Sequence, residues 1–438
     1  NDVFSPAGAF YAGNCADQTG INGNIGAHPV FVDISTGDYR LQATSPAIDA
    51  GTAASGLPAE DIDGDPRIVA GTIDIGADEV APSRWVQLMP TNAPPPARCF
   101  GASTVYDVSS RRLVLHSGAA CTGGHHADTW VLTNANGAGG APQWIPIDEL
   151  GPATHNHAAA YDPVRQRMIV NGGCAGGCLP IQGETNVLTG APFGDSSWIQ
   201  VTPAGTPQGR QGHKALYNPS TNRMILWGGQ DGGGSGLSQF REVWILTNAN
   251  RWDAATPTWQ LLETEGGPPE AAYFSSAAYD EANNRLIVFG GSDGLADSNA
   301  VWVLNNADGS DEEDPQWTNT VPRYAAGSPL PRAGAHAVYN ADDNAMTIFG
   351  GSGFDDVWRL SNANGIGGAS TWTQLRVPGG PPSSRTHYNS SAYDPDSDAM
   401  IVFTNNAANN GNEVWVLNLP PADEAVDDVA PTTTAIVT

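Results

Sequence analysis

The chain has 438 residues, including 52 glycines, 33 prolines and 13 tryptophans, with a formal net charge of −27 and only 15% charged residues. This profile fits a turn-rich all-β protein of more than one unit and not a disordered chain. Such acidity repels phosphate backbones and excludes nucleic acid as a partner, and no apolar run approaches the ~20 residues that span a bilayer, so no membrane insertion is expected.

Lys214 is the only lysine, so nearly all positive charge is arginine. That is a compositional bias of the source, of the kind seen in salt-adapted or GC-rich organisms. The chain starts at Asn1 with neither Met nor signal peptide and ends in a Thr-rich tail, which predicts a mature or partial piece of a longer protein. In chain order, residues 1–81 come first. Val30-Phe31-Val32-Asp33, Asp38-Tyr39-Arg40-Leu41 and Ser45-Pro46-Ala47-Ile48-Asp49-Ala50-Gly51 are followed by Asp61-Ile62-Asp63-Gly64-Asp65 and Asp74-Ile75-Gly76. This stretch resembles the C-terminal end of a secreted right-handed parallel β-helix. The resemblance implies that most of the helix lies upstream.

From residue 82 onward the sequence repeats, which is the strongest signal in the chain. A Tyr-Asp or Tyr-Asn pair recurs at Tyr106, Tyr161, Tyr217, Tyr279, Tyr339 and Tyr393, spaced by 54 to 62 residues. Each pair precedes a polar turn and an apolar run such as Met168-Ile169-Val170. Four runs end in Gly-Gly, at Gly172, Gly228, Gly290 and Gly350. A third strand carries Trp130, Trp244, Trp302, Trp358 or Trp415; the second repeat lacks this residue. A fourth carries Trp144, Trp198, Trp259, Trp317 or Trp372. Four short strands per repeat make one blade, and six such sheets must pack face to face to bury their aromatic and β-branched side chains.

The sixth repeat has no fourth strand after Val414-Trp415-Val416-Leu417, whereas Trp85-Val86-Gln87-Leu88 precedes the first repeat and matches Trp372-Thr373-Gln374-Leu375. The N-terminal strand is therefore predicted to complete blade six, leaving no open sheet edge. The pattern over 82–420 resembles the kelch family, with Ser117-Gly118 and Thr404-Asn405 departing from its Gly-Gly pair. The expected fold is an all-β, six-bladed kelch-type β-propeller with N-terminal outer-strand closure. Residues 421–438 read as a linker toward a further surface module.

Five cysteines follow the same map. In a hairpin turning at Val108 to Arg111, Cys99 and Cys121 fall opposite each other, which predicts a Cys99–Cys121 disulfide. Cys174 and Cys178 are expected to close a small loop, with a metal pair as the rival reading. Cys15 is left over. Disulfides point to an oxidising compartment, hence to an extracellular or cell-surface location.

Several side-chain groups are candidates for function. Arg98, Arg210, Arg332 and Arg385 recur just before the innermost strand and should converge near one mouth of the central channel. The kelch resemblance implies a positive mouth suited to acidic peptides, a carboxylate or a sulfate; the alternative is that each arginine bonds carbonyls of the neighbouring blade. His155, His157, His213, His336 and His387 cluster in the same zone, either as metal ligands or general bases or as partners of backbone groups. Asp394, Asp396 and Asp398, and Asp61, Asp63 and Asp65, are candidate calcium loops, with hairpin turns as the alternative. The repeated Thr133-Asn134-Ala135-Asn136-Gly137, seen again from Thr247 and Ser361, reads as turn chemistry. Asn389-Ser390-Ser391 is a glycosylation sequon.

The sequence has no nucleophile elbow, H-E-x-x-H, Walker loop, dinucleotide fingerprint or sialidase Asp box. A copper oxidase of the kelch class needs Tyr, His and a Cys–Tyr crosslink, and cysteines placed in disulfides argue against it. The expected role is a non-catalytic extracellular binding or structural module presenting loops to a glycan or protein. A carbohydrate-active enzyme and a subunit of an extracellular filament or sheath are the alternatives.

Overall fold

Each tyrosine pair closes an innermost strand and opens a tight hairpin to the next. Five residues beyond each tyrosine the backbone turns left-handed, at Arg111, Gln166, Asn222, Asn284, Asn344 and Asp398, with φ between 43° and 55°. Asn and Asp tolerate that region better than other residues with a Cβ, and they fill four of the six positions. The residue after the tyrosine pins the turn: carboxylate or amide oxygens of Asp107, Asp162, Asn218, Asp280 and Asn340 accept main-chain N–H groups two or three positions on.

The computed structural model describes residues 31–33, 38–41, 45–47, 50–51, 73–76 and 84–419, apart from 177–180, 192–195, 233–237, 253–254, 376, 378–389 and 407–410. Residues Arg84–Leu419 form one compact unit, and 1–83 with 420–438 form the other.

The larger unit contains six antiparallel four-stranded sheets. Blade one consists of Ser103–Asp107, Arg112–His116, Thr129–Leu132 and Trp144–Ile147. Blades two to five repeat that order, with innermost strands Ala158–Asp162, Lys214–Asn218, Ser276–Asp280 and His336–Asn340. Blade six joins Ser390–Asp394, Ala399–Asn406 and Gly411–Asn418 to the N-terminal strand Arg84–Gln87, in the register Leu417↔Trp85 and Val416↔Val86. The predicted closure is therefore the one observed. Thr404 and Asn405, where Gly-Gly is missing, extend the ladder by pairing with Glu413 and Asn412.

Six hydrophobic clusters occupy the six blade junctions. Leu113, Leu115 and Trp144 of blade one meet Ile401, Phe403 and Val416 of blade six in one of them. The outer-strand tryptophans Trp85, Trp144, Trp259, Trp317 and Trp372 are all buried in such clusters. Burying a large aromatic is worth about 2–3 kcal/mol, so these contacts dominate blade-to-blade cohesion. The Gly-Gly pairs sit where a Cβ does not fit: on Gly229 it would lie 2.8 Å from the Gln211 carbonyl, and φ there is +93°.

In the smaller unit, Phe31–Asp33 pairs antiparallel with Asp38–Leu41. The amide of Gly51 donates to Ile73 at 2.7 Å and that of Ile75 to Ala47 at 2.9 Å. The described strand pairing is antiparallel, whereas β-helix coils pair in parallel; most of 1–81, including Asp61, Asp63 and Asp65, lies outside the described residues.

Candidate functional site

The six innermost strands converge on a central channel, and their sequence keeps it open. Two positions before each tyrosine the residues are Thr104, Ala159, Ala215, Ala277, Ala337 and Ser391, all small and all on the channel wall. Five positions before the tyrosine, main-chain bonds link blades one to five in series among the described residues. The amide of Asn156 donates to Gly101 at 3.0 Å, Gly212 to Asn156 at 2.9 Å, Phe274 to Gly212 at 3.0 Å and Gly334 to Phe274 at 2.7 Å. All five residues have φ between 50° and 72°. Each link crosses from one blade to the next, so this backbone belt fixes the width of the mouth. Phe274 is the outlier, since a bulky side chain at positive φ is strained. Inside the belt lies a cavity of about 170 Å³ bordered by Ser103, His157, Lys214, Ser276, His336 and Ser390.

The arginines predicted for that mouth are buried, with their guanidiniums already partnered. Arg98, Arg210 and Arg332 are each 1% exposed. Arg210 donates to the Gly228 carbonyl at 3.0 Å and to Glu242 at 2.8 Å; Arg332 donates to Gly350 at 3.0 Å and to Asp356. Arg98 donates to Ser117 at 2.8 Å and to Asp128. The acid also accepts the indole N–H two residues later, from Trp130, Trp244 or Trp358. Burial pushes Glu242 and Asp356 up, but the arginine opposite outweighs it and both end below the usual carboxylate range. These guanidiniums therefore brace their own blade, tying the carbonyl at the Gly-Gly position, Ser117 in blade one, to the acid that leads into its third strand. They are not offered to a ligand, and the carbonyls they bind are not the neighbouring blade's. Arg385 and His387 lie outside the described residues.

The histidines also face inward. His157 bonds Ser103 Oγ at 2.7 Å and Thr154 Oγ1 at 3.2 Å, while His155 stacks on His125 with ring centroids 4.6 Å apart. His116, which the repeat pattern did not flag, packs 5.5 Å from His157 and 4.5 Å from Trp198 and bonds Thr129 Oγ1 at 2.9 Å. Burial, then the neighbouring imidazole, lowers His155 to about 4 and His157 to about 3. Burial likewise drives His116 and His213 well below the ordinary histidine value. These rings are neutral at pH 7. Among the described residues no three His, Cys, Asp or Glu side chains converge as metal ligands.

The Asp394–Asp398 turn is structural too. Asp394 accepts Asn136 Nδ2 at 2.8 Å and Ser397 Oγ at 2.6 Å, and Asp398 accepts the Tyr393 hydroxyl at 2.8 Å. The bond from Asn136 is one of a series. Asn250 reaches Asp162 at 2.6 Å and Asn364 reaches Asp280 at 2.7 Å, each crossing to the preceding blade. The Asn-Ala-Asn segments are thus more than turns: the first asparagine takes the left-handed conformation and the second clamps two blades together. At the junction of blades three and four the partners are exchanged, with Asn218 donating to Asp308 at 2.9 Å.

Cys99 and Cys121 form the expected disulfide, with Cα atoms 5.0 Å apart, beside the short ladder Arg98–Phe100 with Ala119–Ala120. Cys174 is disulfide-bonded; Cys178, its expected partner, lies outside the described residues.

Alternation along the meander puts the second-to-third and blade-to-blade connections on one face, and the tight first-to-second hairpins with the third-to-fourth connections on the other. The loop face carries exposed apolar groups. Leu295 is 97% exposed, Tyr324 66% and Leu330 61%. They stand on two loops tied together by Arg323 Nη2 to the Asp297 carbonyl at 2.6 Å, the Tyr324 amide to Asn299 Oδ1 at 2.8 Å and Asn299 Nδ2 to the Pro329 carbonyl at 2.7 Å. Asp293 Oδ1 accepts the amides of Leu295 and Ala296, both at 2.8 Å, so Leu295 is held outward by a rigid turn. Those two bonds hold the Asp293 carboxyl below its usual range.

Comparison with known proteins agrees with this architecture. The model of the KLHDC2/KLHL20/DRC7 Kelch-repeats domain matches residues 176–364 and 247–423. The chain is 31% identical over 195 residues to the Rab9 effector protein with kelch motifs of Gallus gallus, covering 43% of this chain and 46% of that protein. It is 26% identical over 221 residues to Adagio-like protein 3 of Oryza sativa subsp. japonica, covering 49% and 32%. With Multiple epidermal growth factor-like domains protein 8 of Mus musculus it shares 25% identity over 287 residues, covering 64% and 10%. The chain thus spans less than half the length of each of these relatives. The solved structure described as "Structure of YjhT" has the same fold, with a TM-score of 0.51 at 14% identity over 75% of this chain and 96% of that one. Six repeats, six sheets closed by the strand at Trp85 and a family model matching more than half of the sequence place the chain in the kelch-repeat family.

Proposed function

We propose that this propeller is a non-catalytic recognition module that binds a protein partner through the loop face of blades four and five. The observation that carries the reading is Leu295, 97% exposed on a turn braced by three hydrogen bonds, with Tyr324 and Leu330 exposed on the loop tied to it. A rigid apolar patch in an acidic surface is a docking feature, because ordering it costs little and desolvating it is favourable. Tyr324 also holds φ at 63°, a strained conformation of the kind concentrated at functional surfaces. The inward-facing arginines and histidines supply the rigidity, and the loops supply recognition.

The module acts outside the cell in this reading. The Cys99–Cys121 bond supports that placement, since disulfides persist in oxidising compartments. The test uses wild-type protein and a Leu295→Asp/Leu330→Asp variant as baits in the extracellular fraction of the source organism, followed by titration of each bait with the purified partner. The variant should keep its melting temperature and bind at least about tenfold more weakly, which corresponds to a loss of about 1.4 kcal/mol. Equal affinity for both baits would refute the patch.

A further inference from the structure

The face of the ring opposite the loop face carries the first-to-second hairpins and the third-to-fourth connections. One of those connections departs from its counterparts. Asn136-Gly137-Ala138, Asn250-Arg251-Trp252 and Asn364-Gly365-Ile366 make the same turn: the amide of the third residue donates to the asparagine side-chain oxygen, at 3.0, 3.0 and 2.8 Å. The middle residue is left-handed in all three, with φ of 84° at Gly137 and 76° at Gly365, yet blade three places Arg251 there at 54°. Glycine makes that turn without strain, so the fold itself calls for neither Arg251 nor Trp252.

Trp252 is 54% exposed. The Arg165 guanidinium lies 4.1 Å from its ring centre and that of Arg167 5.1 Å, and Arg167 Nη1 donates to the Asn250 carbonyl at 2.6 Å. Two cations thus hold the ring in place. Val164, next to Arg165 in the chain, is 67% exposed. A fixed tryptophan with arginines around it has the composition of an interface hot spot.

Charge divides this face in two. On blades one to three it exposes Arg111, Arg165 and Arg251. The acids among the described residues of that half's hairpins and connections, Asp107 and Asp162, are buried and accept bonds within the ring. Asp195 and Asp253 of the same connections lie outside the described residues. On blades four to six the exposed charges are acidic, among them Glu281, Glu312, Glu313, Asp314, Asp342 and Asp396. Among the described residues that half exposes no cation: Arg84 and Arg285 are half-buried, and Arg359 is paired with Asp343 at 2.6 Å.

A face positive on one half and negative on the other complements a second copy of itself. We propose that two copies of this chain associate through this face, about a two-fold axis lying along the line between the halves. That rotation sets blade three on blade four, blade two on blade five and blade one on blade six. Arg251 and Trp252 then meet the loop 312–314, Arg165 meets Asp342 and Arg111 meets Asp396, each twice. Connection faces connection and hairpin faces hairpin in every pair. The net charge of −27 on each copy opposes association, and the paired halves offset it locally. The loop face stays free in this dimer, so the proposal stands apart from the docking patch.

Analytical ultracentrifugation of the full chain should show a concentration-dependent monomer–dimer equilibrium. Arg165→Glu and Asp342→Arg each set like charges opposite one another twice, and each should give a folded monomer by circular dichroism. Mixed together, the two single variants should restore the dimer, because both pairs in the mixed species are attractive. Trp252→Ala should weaken dimerisation by about tenfold or more. Leu295→Asp/Leu330→Asp should leave it intact, and loss of the dimer there would move the contact to the loop face. A wild-type monomer up to about 0.1 mM, a dimer that Trp252→Ala and both charge reversals leave unchanged, or single variants that fail to rescue each other on mixing would overturn the two-fold face.

Discussion

Asn250 in blade three donates its side-chain amide to the Asp162 carboxylate of blade two at 2.6 Å, and both side chains are buried. The same bond recurs from Asn364 to Asp280 and from Asn136 to Asp394. Asn250→Ala removes a donor to a buried carboxylate and should cost about 2–3 kcal/mol in urea unfolding. Asn250→Asp sets two carboxylates face to face and should cost more at pH 7 than at pH 4. A cost under about 0.5 kcal/mol would show that the bond does not clamp the blades.

The exchanged pair gives a sharper test. Asn218→Asp alone opposes Asp308 with a like charge and should destabilise the protein. Adding Asp308→Asn restores one donor and one acceptor in the arrangement of the other junctions. The double variant should recover most of the stability lost by Asn218→Asp, a coupling measurable by a double-mutant cycle. Additive losses would contradict the account.

Arg332 illustrates how much the buried guanidiniums matter for folding. Arg332→Met strands Asp356 and the Gly350 carbonyl and should cost about 3–5 kcal/mol, as expected when one partner of a buried pair is removed. Its melting temperature should drop sharply, while partner affinity measured below the transition stays unchanged. Loss of affinity without loss of stability would return Arg332 to the role of a ligand contact.

Acid should loosen the ring before the carboxylates titrate. His155, His157 and His336 have folded-state values of about 4, 3 and 3, below their unfolded value near 6.5. Between those limits the unfolded chain binds protons that the folded one refuses. Stability is therefore complete above pH 6.5 and falls as pH drops toward 3–4, by about 1 kcal/mol per pH unit for each histidine. Urea melts at pH 7 and pH 5 should show this, and His157→Gln should flatten the slope. A pH-independent stability over that interval would rule it out.

Breaking Cys99–Cys121 by Cys99→Ser/Cys121→Ser should cost about 2–4 kcal/mol. Chemical denaturation of wild type and of this double variant, both without reductant, checks the value. No difference would mean that the bridge does not contribute to stability.

The repeat was legible in the sequence because it rests on large side chains. Tyr106 and its five counterparts, the outer-strand tryptophans and the match between Trp85-Val86-Gln87-Leu88 and Trp372-Thr373-Gln374-Leu375 define six sheets and their closure. The role of Arg98, Arg210 and Arg332 was not legible from position alone, since ring geometry places them near the mouth. Their partners were nevertheless visible as an acid two residues before the third-strand tryptophan, Asp128, Glu242 and Asp356, whereas blade four has Ala300 there and no such arginine. The channel belt rests on main-chain bonds, which side-chain patterns do not encode. Its one trace is the left-handed-tolerant residues Gly101, Asn156, Gly212 and Gly334, five before four of the six tyrosines. Leu295 carried no signal, because an apolar residue in a loop gains meaning only once its exposure is known.

The ring stands or falls on the strand Arg84–Gln87 pairing with Gly411–Asn418. Hydrogen exchange followed peptide by peptide measures that pairing directly. The amides of Arg84–Gln87 should be protected to the same free energy as those of Val414–Leu417 and open with them in one step. Free exchange at Arg84–Gln87 while Val414–Leu417 stays protected would contradict the closed propeller.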